Sequence, residues 1–307
     1  MILVTGPNGN VGTELVRQLA EAGTLPFRVA AHTPARIIDV YGDKVDVVRF
    51  DYGDPATWSS ALDGVTRLFL LFPLPHPRTA RKWMVPFIEA AAAAGVEHIV
   101  YLTVPGADTM RAVPHHTVER AIAQSGVSHT FLRAAFFAQN MCRDITTHAV
   151  DVARHDEIFV PAGRGLTSFV DSRDVAEVAV QVLSDPARHA GQAYTLTGPE
   201  LLDYHAVARI FSAELGRTIR YPSPSIPAFW WRVGPRVTWD TLLFMTIVYS
   251  LTRFGKNAPM TDTLGHLLGR PPRTMDQFVH DYRDRFTGPA AATPRKVATP
   301  GIAKPMP

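Results

Sequence analysis

Cysteine is almost absent from this sequence. Cys142 is the single cysteine among 307 residues. One thiol excludes a disulfide within the chain and a zinc site built from several cysteines. We therefore expect no metal site.

An excess of charge of one sign is also missing. The chain has 31 Lys and Arg against 28 Asp and Glu, a net charge of +3, and its basic residues form no block. Three of them, Arg295, Lys296 and Lys304, lie in residues 288–307, which contain no acid. Nucleic-acid-binding proteins usually concentrate basic residues on one face, so we expect no nucleic-acid partner. The aperiodic, Ala- and Pro-rich segment 288–307 is expected to be a flexible tail.

Long apolar runs are lacking as well. The strongest candidate, residues 237–251, is too short for a membrane span and contains Asp240 near its start. The N-terminus begins with an apolar segment and has no charged region ahead of it, unlike a secretory signal. We expect a cytoplasmic protein with no membrane partner, and the choice between monomer and homodimer stays open.

Short β-rich runs alternate with helical periodicity through the first half of the sequence. Residues 10–22 carry apolar side chains at helical spacing, whereas residues 67–72 are apolar on both faces of a strand. Strands of this kind, joined by helices, indicate a parallel sheet covered on both sides. The predicted fold class is therefore α/β, with a Rossmann-like doubly wound parallel sheet in residues 1–140.

The second half is less regular. Residues 141–287 are predicted to form a smaller, interleaved C-terminal α/β region, and segments around 167–200 are expected to return to the first sheet. Residues 218–221 are predicted as a strand, and residues 79–94 and 273–286 as single helices.

Three glycines separate the first strand from the first helix in a G-x-x-G-x-x-G pattern. In dinucleotide-binding folds such glycines permit the turn out of the strand, the approach of pyrophosphate to the backbone, and close packing of the helix on the sheet. The N–H groups and positive end of the helix then hold the phosphates. A glycine-rich turn without a ligand is the alternative, but the strand–loop–helix context favours a cofactor site. The predicted loop comprises Gly6, Pro7, Asn8, Gly9, Asn10, Val11 and Gly12.

The end of the second strand indicates which nucleotide is bound. NAD-selective sites usually place an acid there for the ribose 2′-hydroxyl, but residues 30–38 of this chain contain no acid, and the first one after the strand is Asp39. His32, Thr33 and Arg36 would instead suit a 2′-phosphate, which favours NADP(H) over NAD(H), although Arg36 has the alternative of a solvated helix residue. After the third strand, Asp51 and Tyr52 are expected at the adenine edge and face. Asp51 has the alternative of capping the next helix.

Several further segments resemble the NmrA-like branch of the atypical short-chain dehydrogenases/reductases. The resemblance rests on residues 2–12 (ILVTGPNGNVG), 125–133 (SGVSHTFLR), the following Phe136-Phe137 and Gln139-Asn140, and 169–176 (FVDSRDVA). Within that branch, residues 49–58 (RFDYGDPATW), 196–204 (LTGPELLDY) and 269–274 (GRPPRT) look like the ergot-alkaloid-type, festuclavine dehydrogenase-like reductases. The resemblance as a whole covers about residues 1 to 286.

The resemblance implies a Rossmann domain that binds NAD(P)H and a C-terminal lid that closes over the substrate. Leu71, Phe72 and Pro73 then fall along the ribose and nicotinamide. Thr103 falls where better-known members of the superfamily keep a catalytic Ser. His116 lies near the position where related reductases keep a Lys or a His.

One feature of the superfamily is missing. The usual proton donor is the Tyr of a Tyr-x-x-x-Lys motif, and no Tyr here has a Lys four residues later. Ala134 also replaces the Pro expected after Arg133. The proton must therefore come from another group or from water, or the reaction includes no proton step. His116 and Thr103 are the candidate catalytic residues, because imidazole titrates near neutrality and a hydroxyl could orient the substrate or the ribose. The alternative for His116 is an ordinary surface residue at a helix start, and the alternative for Thr103 is an ordinary residue at a strand end.

Aromatic residues concentrate in the predicted lid, where they suggest an apolar pocket for a flat substrate. Core packing of the second region is the alternative for each of them. The candidate substrate-binding residues are Phe136, Phe137, Asn140, Trp230, Trp239, Leu243 and Tyr249.

We therefore expect an NADPH-dependent reductase of a small hydrophobic or aromatic carbonyl, quinone or imine. The alternative is a non-catalytic NADP(H) sensor of the NmrA type, which would also lack Tyr-x-x-x-Lys. A sugar-nucleotide epimerase is less favoured, because such enzymes usually keep that pair.

Overall fold

A computed structural model describes residues 1–73, 76–142, 147–256 and 258–287 of the chain. The predicted tail, 288–307, lies outside the described residues. The strands are β1 (Ile2–Thr5), β2 (Phe27–Ala31), β3 (Asp46–Arg49), β4 (Arg67–Leu71), β5 (His98–Thr103), β6 (Ser128–Ala134), β7 (Phe136–Phe137), β8 (Thr167–Val170), β9 (Gln192–Leu196) and β10 (Leu201–Leu202). The helices are α1 (Asn10–Ala22), α2 (Ala35–Tyr41), α3 (Trp58–Leu62), α4 (Pro77–Thr79), α5 (Val85–Ala93), α6 (Pro114–Gln124), α7 (His148–His155), α8 (Ser172–Ser184), α9 (Tyr204–Leu215), α10 (Ile226–Val233), α11 (Trp239–Arg253), α12 (Thr263–Leu268), α13 (Met275–Asp281) and α14 (Asp284–Thr287).

Seven strands of the described residues form a parallel sheet in the order β3-β2-β1-β4-β5-β6-β9. The chain starts at β1 and builds outward on both sides, which confirms the predicted doubly wound α/β class. The strand order reverses between β1 and β4. In such sheets ligands bind at this switch point, outside the carboxyl ends of the strands.

Apolar segments account for the central strands and the first helix. β1 and β5 are buried along their whole length. Helix α1 buries Val11, Leu15, Val16 and Leu19 on one face and packs against α8. It ends at Gly23, whose φ of 60° is the left-handed conformation that glycine adopts without strain.

The chain divides into two compact units that exchange segments. The first unit consists of Met1–Ala135, Val170–Thr197 and Thr261–Pro272. Of the later segments expected at its sheet, β9 joins as the edge strand beside β6, whereas β8 pairs with β10 in a different sheet.

The second unit consists of Phe136–Phe169, Gly198–Met260 and the described residues from Arg273 on. Its small sheet has the order β10-β8-β7. Its core is unusually aromatic and contains Tyr204, Phe211, Phe229, Tyr249, Phe278 and Phe286, all buried.

Three predicted elements need correction. Residues 218–221 are not a strand: only Arg220 forms an isolated bridge, with Glu157, while the Ile219 N–H donates to Ser212 Oγ. The alternating pattern there reflects burial of Ile219 and Tyr221 in the core of the second unit.

The two predicted long helices are interrupted. The segment 77–93 contains a π-helical stretch, Ala80–Met84, just before Pro86, whose ring nitrogen offers no N–H for a regular helical bond. The segment 273–286 breaks into α13 and α14, and the Phe286 ring after the break contacts Phe211 and Phe278.

In the described part of the chain, no helix combines the length and the hydrophobicity that a membrane crossing requires.

Candidate functional site

The glycine loop after β1 is shaped by close contacts that a side chain would prevent. Gly6 has a φ of 65°, and a Cβ on it would lie 2.0 Å from Leu71 Cδ2. A Cβ on Gly12 would lie 2.1 Å from the carbonyl oxygen of Gly6. The loop therefore folds tightly against both the end of β4 and the first turn of α1. Two residues of the predicted cofactor site, Gly6 and Leu71, are thereby in direct contact.

The N-terminus of α1 is the most direct structural sign of an anion site. Gly9 is the N-cap residue and supplies no side-chain hydrogen bond, and the first turn contains no acid. The amides that follow, at Asn10, Val11 and Gly12, begin a 13-residue helix. The N-terminal N–H groups and the positive end of a helix favour a bound phosphate.

His32, Thr33 and Arg36 are exposed at and just after the end of β2. His32 Nε2 lies 3.4 Å from Asp51 Oδ2, so the structure brings together two predicted nucleotide contacts from adjacent strands. Asp51 does not cap the following helix: its Oδ1 accepts from the Gly53 N–H at 2.7 Å, and Asp54 supplies the cap. Asp51 thus remains exposed toward solvent and available to a ligand.

Tyr52 does not occupy the position predicted for it. Its ring is buried against Phe50 and Phe87, and its hydroxyl donates to the Leu71 carbonyl at 2.8 Å. Burial also raises the pKa of this hydroxyl well above its usual range. A buried ring offers no face to an adenine, because the strand-end alternation turns Tyr52 inward and leaves Asp51 outward. Phe72 is likewise buried beside His115, whereas Leu71 and Pro73 are half-buried.

Thr103 ends β5 in a hydrogen-bonded network that the sequence reasoning missed. Its hydroxyl donates to Glu119 Oε1 at 3.0 Å, and both residues are buried. Arg133 binds the same carboxylate through Nε at 3.1 Å and Nη2 at 2.7 Å, and it reaches Asp108 through Nη1 at 3.1 Å. A usable signal was present: Thr103 and Arg133 are the final residues paired in register on adjacent parallel strands, where polar groups meet.

His116 lies in the first turn of α6, the helix that follows the loop after β5. Its Nδ1 is 2.7 Å from the Ala107 carbonyl oxygen, so Nδ1 carries a proton and donates. Nε2 therefore bears a lone pair whenever the ring is neutral. The neighbouring His115 is buried against Phe72 and Tyr101, and burial lowers its pKa to about 4.

The candidate substrate residues of the second unit fall into a buried and an exposed group. Tyr249 is buried, its Oη lies 2.6 Å from His148 Nε2, and burial raises its pKa well above the usual range. Phe136 packs on Phe169 and Tyr249 and, like Phe137 and Asn140, is half-buried. Trp239 and Leu243 are exposed on α11 by 61% and 43%.

Trp230 links these two groups. Its indole N–H donates to Thr246 Oγ1 at 2.9 Å, and its ring meets that of Trp239 edge-on at 5.2 Å. The structure therefore brings Trp230 and Trp239 together at the surface of α11, while Tyr249 belongs to the interior.

The described residues contain no cluster of three or more His, Cys, Asp or Glu side chains that could hold a metal ion.

Comparison with known proteins gives a consistent picture. The model of the NmrA-like family matches residues 1–231. The chain is 33% identical to an NAD(P)H azoreductase of Xenophilus azovorans over 291 residues, which cover 93% of this chain and 99% of the relative. It is also 28% identical over 232 residues to festuclavine dehydrogenase of Aspergillus fumigatus, with coverage of 72% and 76%.

Among solved structures, the NADPH complex of an NADPH-dependent quinone oxidoreductase from Escherichia coli superposes with a TM-score of 0.79 at 26% identity. That match covers 92% of this chain and 100% of the other. The NADP(H) complex of triphenylmethane reductase from Citrobacter sp., 22% identical with a TM-score of 0.78, covers 90% and 98% and shows the same fold.

Proposed function

The chain belongs to the NmrA-like family, and on that premise we propose that it reduces a small hydrophobic or aromatic carbonyl, quinone or imine with NADPH. It is an NAD(P)H-dependent oxidoreductase of the atypical short-chain type. The observation that carries the proposal is the tight Gly6–Gly12 loop, which leads through the N-cap residue Gly9 into the N-terminus of α1 at the switch point of the sheet.

The residues present fit a dinucleotide. The first-turn amides of α1 would hold the pyrophosphate, and Leu71 and Pro73 would line the path toward the nicotinamide. The dihydronicotinamide of bound NADPH supplies a hydride. The contribution of the chain is to orient the acceptor, to exclude water and to manage any proton that the product needs.

We assign orientation of the bound molecules to Thr103 and proton donation to His116. Thr103 orients the acceptor or the ribose by accepting a hydrogen bond, since its own hydrogen points to Glu119. His116 is the donor for acceptors that need a proton, and it acts only as imidazolium because Nδ1–H is held by Ala107. Apolar residues of the second unit, the aromatic Trp230 and Trp239 and the aliphatic Leu243 in particular, are proposed to contact a flat acceptor.

The direct test is turnover. Purified protein is mixed with NADPH and a panel of quinones, aromatic carbonyls, cyclic imines and azo dyes, and the reduced-nicotinamide absorbance is followed. We expect acceptor-dependent loss of absorbance with at least one class. Equal binding of NADP⁺ and NADPH without turnover of any acceptor would instead favour the sensor.

Preference for NADP(H) is proposed from the exposed His32, Thr33 and Arg36 at the end of β2. Arg36→Ala should weaken NADPH binding by about 10- to 150-fold, because a charge-assisted contact to phosphate contributes roughly 1.5–3 kcal/mol, and should leave NADH binding nearly unchanged. Arg17→Ala is the matched control, since Arg17 lies on α1 and pairs with Glu14 and Glu21. Calorimetric dissociation constants for both cofactors decide the matter; an equal loss for both would contradict a 2′-phosphate contact.

A further inference from the structure

We propose that the outer face of α11 is the contact surface of a homodimer, in which the α11 helices of two copies pack antiparallel around Ile247. Such a contact is independent of the proposed reaction, and it makes the homodimer the form of the protein in solution.

The outer face of α11 is apolar along the whole helix. Of the large hydrophobic side chains that are exposed in the described part of the chain, half lie on α11 or directly after it. Spacings of three, four and seven residues keep them on one side of the helix. This apolar stripe consists of Trp239 (61% exposed), Leu243 (43%), Phe244 (58%), Ile247 (51%), Leu251 (47%) and Phe254 (74%).

The inner face of α11 is already occupied. Leu242, Met245 and Tyr249 are buried in the aromatic core of the second unit. The helix cannot turn its apolar stripe inward without exposing these three side chains. The stripe is therefore available for a contact outside the chain.

The area of the apolar stripe suits a protein partner. A large apolar side chain presents on the order of 200 Å² when nothing covers it, so the six side chains together expose roughly 700 Å². The largest apolar patch on a monomeric protein is usually about 300–600 Å², and a stable protein–protein contact buries about 800 Å² on each partner. A small flat acceptor would cover only the part near Trp239 and Leu243, for which that role is proposed, and would leave the rest exposed.

The apolar stripe is nearly symmetric about Ile247. Leu243 and Leu251 each lie four residues from it, and the aromatic rings of Trp239 and Phe254 lie near the two ends. In a two-fold contact both copies use the same surface. A stripe that has similar side chains toward both ends can therefore pack on a second copy of itself.

The charges at the two ends of α11 favour the antiparallel arrangement. Asp240 in the first turn and Arg253 in the last turn are both exposed, at nearly equal distances from Ile247 in opposite directions. Antiparallel packing brings Asp240 of each copy to the end of the helix where the other copy carries Arg253, so opposite charges meet twice. A parallel pair would instead bring like charges together.

A lipid surface is the competing occupant, and charge disfavours it. Helices that lie on membranes carry a polar face rich in Lys and Arg, whereas the opposite face of α11 is buried in the core. The anionic surface of a membrane would also repel Asp240. A second copy offers the Arg253 guanidinium to the same carboxylate.

Light scattering on the full-length protein after size-exclusion chromatography tests the dimer. At about 10–50 μM, above the micromolar upper range of dissociation constants for contacts of this area, we expect a mass about twice the 33.7 kDa of one chain. A mass of one chain at every concentration overturns the inference. A monomer that sediments with vesicles of phosphatidylcholine and phosphatidylserine also overturns it and assigns the face to a membrane. A monomeric full chain with a dimeric 1–287 fragment overturns it in favour of the tail.

Substitutions at Ile247 test the two-fold axis. Ile247→Glu and Ile247→Lys should each raise the dissociation constant of the dimer by at least about a hundredfold, because two like charges would meet at the centre of the contact. An equimolar mixture of the two variants should restore the dimer, since one Glu then faces one Lys. A dimer that persists in either variant, or a mixture that stays monomeric, would overturn contact around Ile247.

An exchange of charges tests the antiparallel arrangement. Asp240→Arg alone should weaken the dimer, and Arg253→Asp added to the same chain should restore it, because the exchanged charges face each other again. Lack of restoration would overturn the antiparallel packing. If a variant at Ile247 does not fold, as near-ultraviolet circular dichroism will show, the charge exchange decides the matter.

Val40→Glu is the matched control. Val40 is 71% exposed on α2 of the first unit, so the substitution places the same charge on an exposed apolar site away from the apolar stripe. The dissociation constant of the dimer should stay within about threefold of the wild-type value. An effect of Val40→Glu as large as that of Ile247→Glu would overturn the assignment of the contact to α11.

Discussion

At the scale of single residues, the tightest approach of backbone to backbone in the cofactor loop is that of Gly12 to the carbonyl oxygen of Gly6. A side chain at Gly12 would meet backbone rather than a movable side chain. The loop and the first turn of α1 must then separate, and the amides offered to a phosphate move with them.

Gly12→Ala should therefore weaken NADPH binding by at least about tenfold, since roughly 1.4 kcal/mol of lost phosphate contact suffices for that factor. The matched control is Gly265→Ala in α12, where a Cβ has ordinary contacts at 3.7 Å. That control should bind normally and gain about 0.5–1 kcal/mol of stability from higher helix propensity. Calorimetry and urea unfolding measure the two effects, and normal NADPH binding by Gly12→Ala would contradict the predicted loop.

A second residue-scale prediction concerns acid stability. Burial lowers the pKa of His115 to about 4, below the ~6.5 of an exposed imidazole. On acidification the unfolded chain binds the proton first, so the contribution of His115 is complete above about pH 6.5 and is lost as the pH falls toward 4.

His115→Phe should remove that share, because the new ring keeps the contacts with Phe72 and Tyr101 and does not titrate. Between about pH 7 and pH 5, the free energy of unfolding should fall by about 2 kcal/mol less than in the wild type. His98 and His148, whose pKa values burial also lowers to about 4, keep the remainder. Urea unfolding at the two pH values gives the difference; an unchanged loss would show that His115 opens to solvent without unfolding.

At the scale of elements, helix α11 presents two different faces. Leu242 is 4% exposed within the core of the second unit, and its neighbour Leu243 is 43% exposed. Adjacent residues on a helix differ by about 100° in direction, so one contacts the core while the other faces outward.

The pair allows a matched comparison with equal helix propensity. Leu242→Ala should destabilise the protein by about 2–5 kcal/mol through lost burial and a cavity, whereas Leu243→Ala should cost less than ~0.5 kcal/mol. If Leu243 contacts the acceptor as proposed, its variant should raise KM at nearly unchanged stability. Chemical unfolding and steady-state kinetics separate these effects, and a large loss of stability in Leu243→Ala would place that side chain in the core instead.

The elements also show which features a sequence predicts well. The bounds of α1 follow from apolar spacing together with the end signal at Gly23, and they match the predicted 10–22. Strand β4 ends one residue before the end of the predicted apolar run 67–72. The strand prediction for residues 218–221 was wrong, because burial of Ile219 and Tyr221 in an irregular segment gives the same alternating pattern as a strand. The prediction for Tyr52 was wrong, and Glu119 was missed, for a related reason. Which way a strand-end side chain turns, and which helix residue it meets, depend on contacts between segments distant in the sequence.

At the scale of the whole molecule, the sheet of the first unit needs residues from far along the chain. Strand β9 covers the edge of β6, and α8 covers α1. Arg270, near the end of the third segment, bonds to Asp174 and Glu177 on α8. The first unit therefore includes residues well beyond 140, as far as Pro272.

A fragment of residues 1–140 should fail to fold cooperatively, because it lacks β9 and α8 and exposes the buried faces of α1 and β6. The expected results are loss of the near-ultraviolet circular dichroism signal and aggregation. The matched comparison is residues 1–287, which retain every described segment and should unfold as the full chain does. A monomeric 1–140 fragment with a sharp thermal transition would contradict this dependence.

The same interleaving sets an order in time. During synthesis β1 to β6 leave the ribosome with one sheet edge unpaired, and β9 follows only after a further 57 residues, 135–191. At roughly 5–20 residues per second the open edge persists for several seconds, long compared with the formation of a hairpin or helix. Newly made chains should accordingly depend on chaperones that shield sheet edges, and slowing translation after residue 134 should lower the yield of native protein more than slowing it after residue 272.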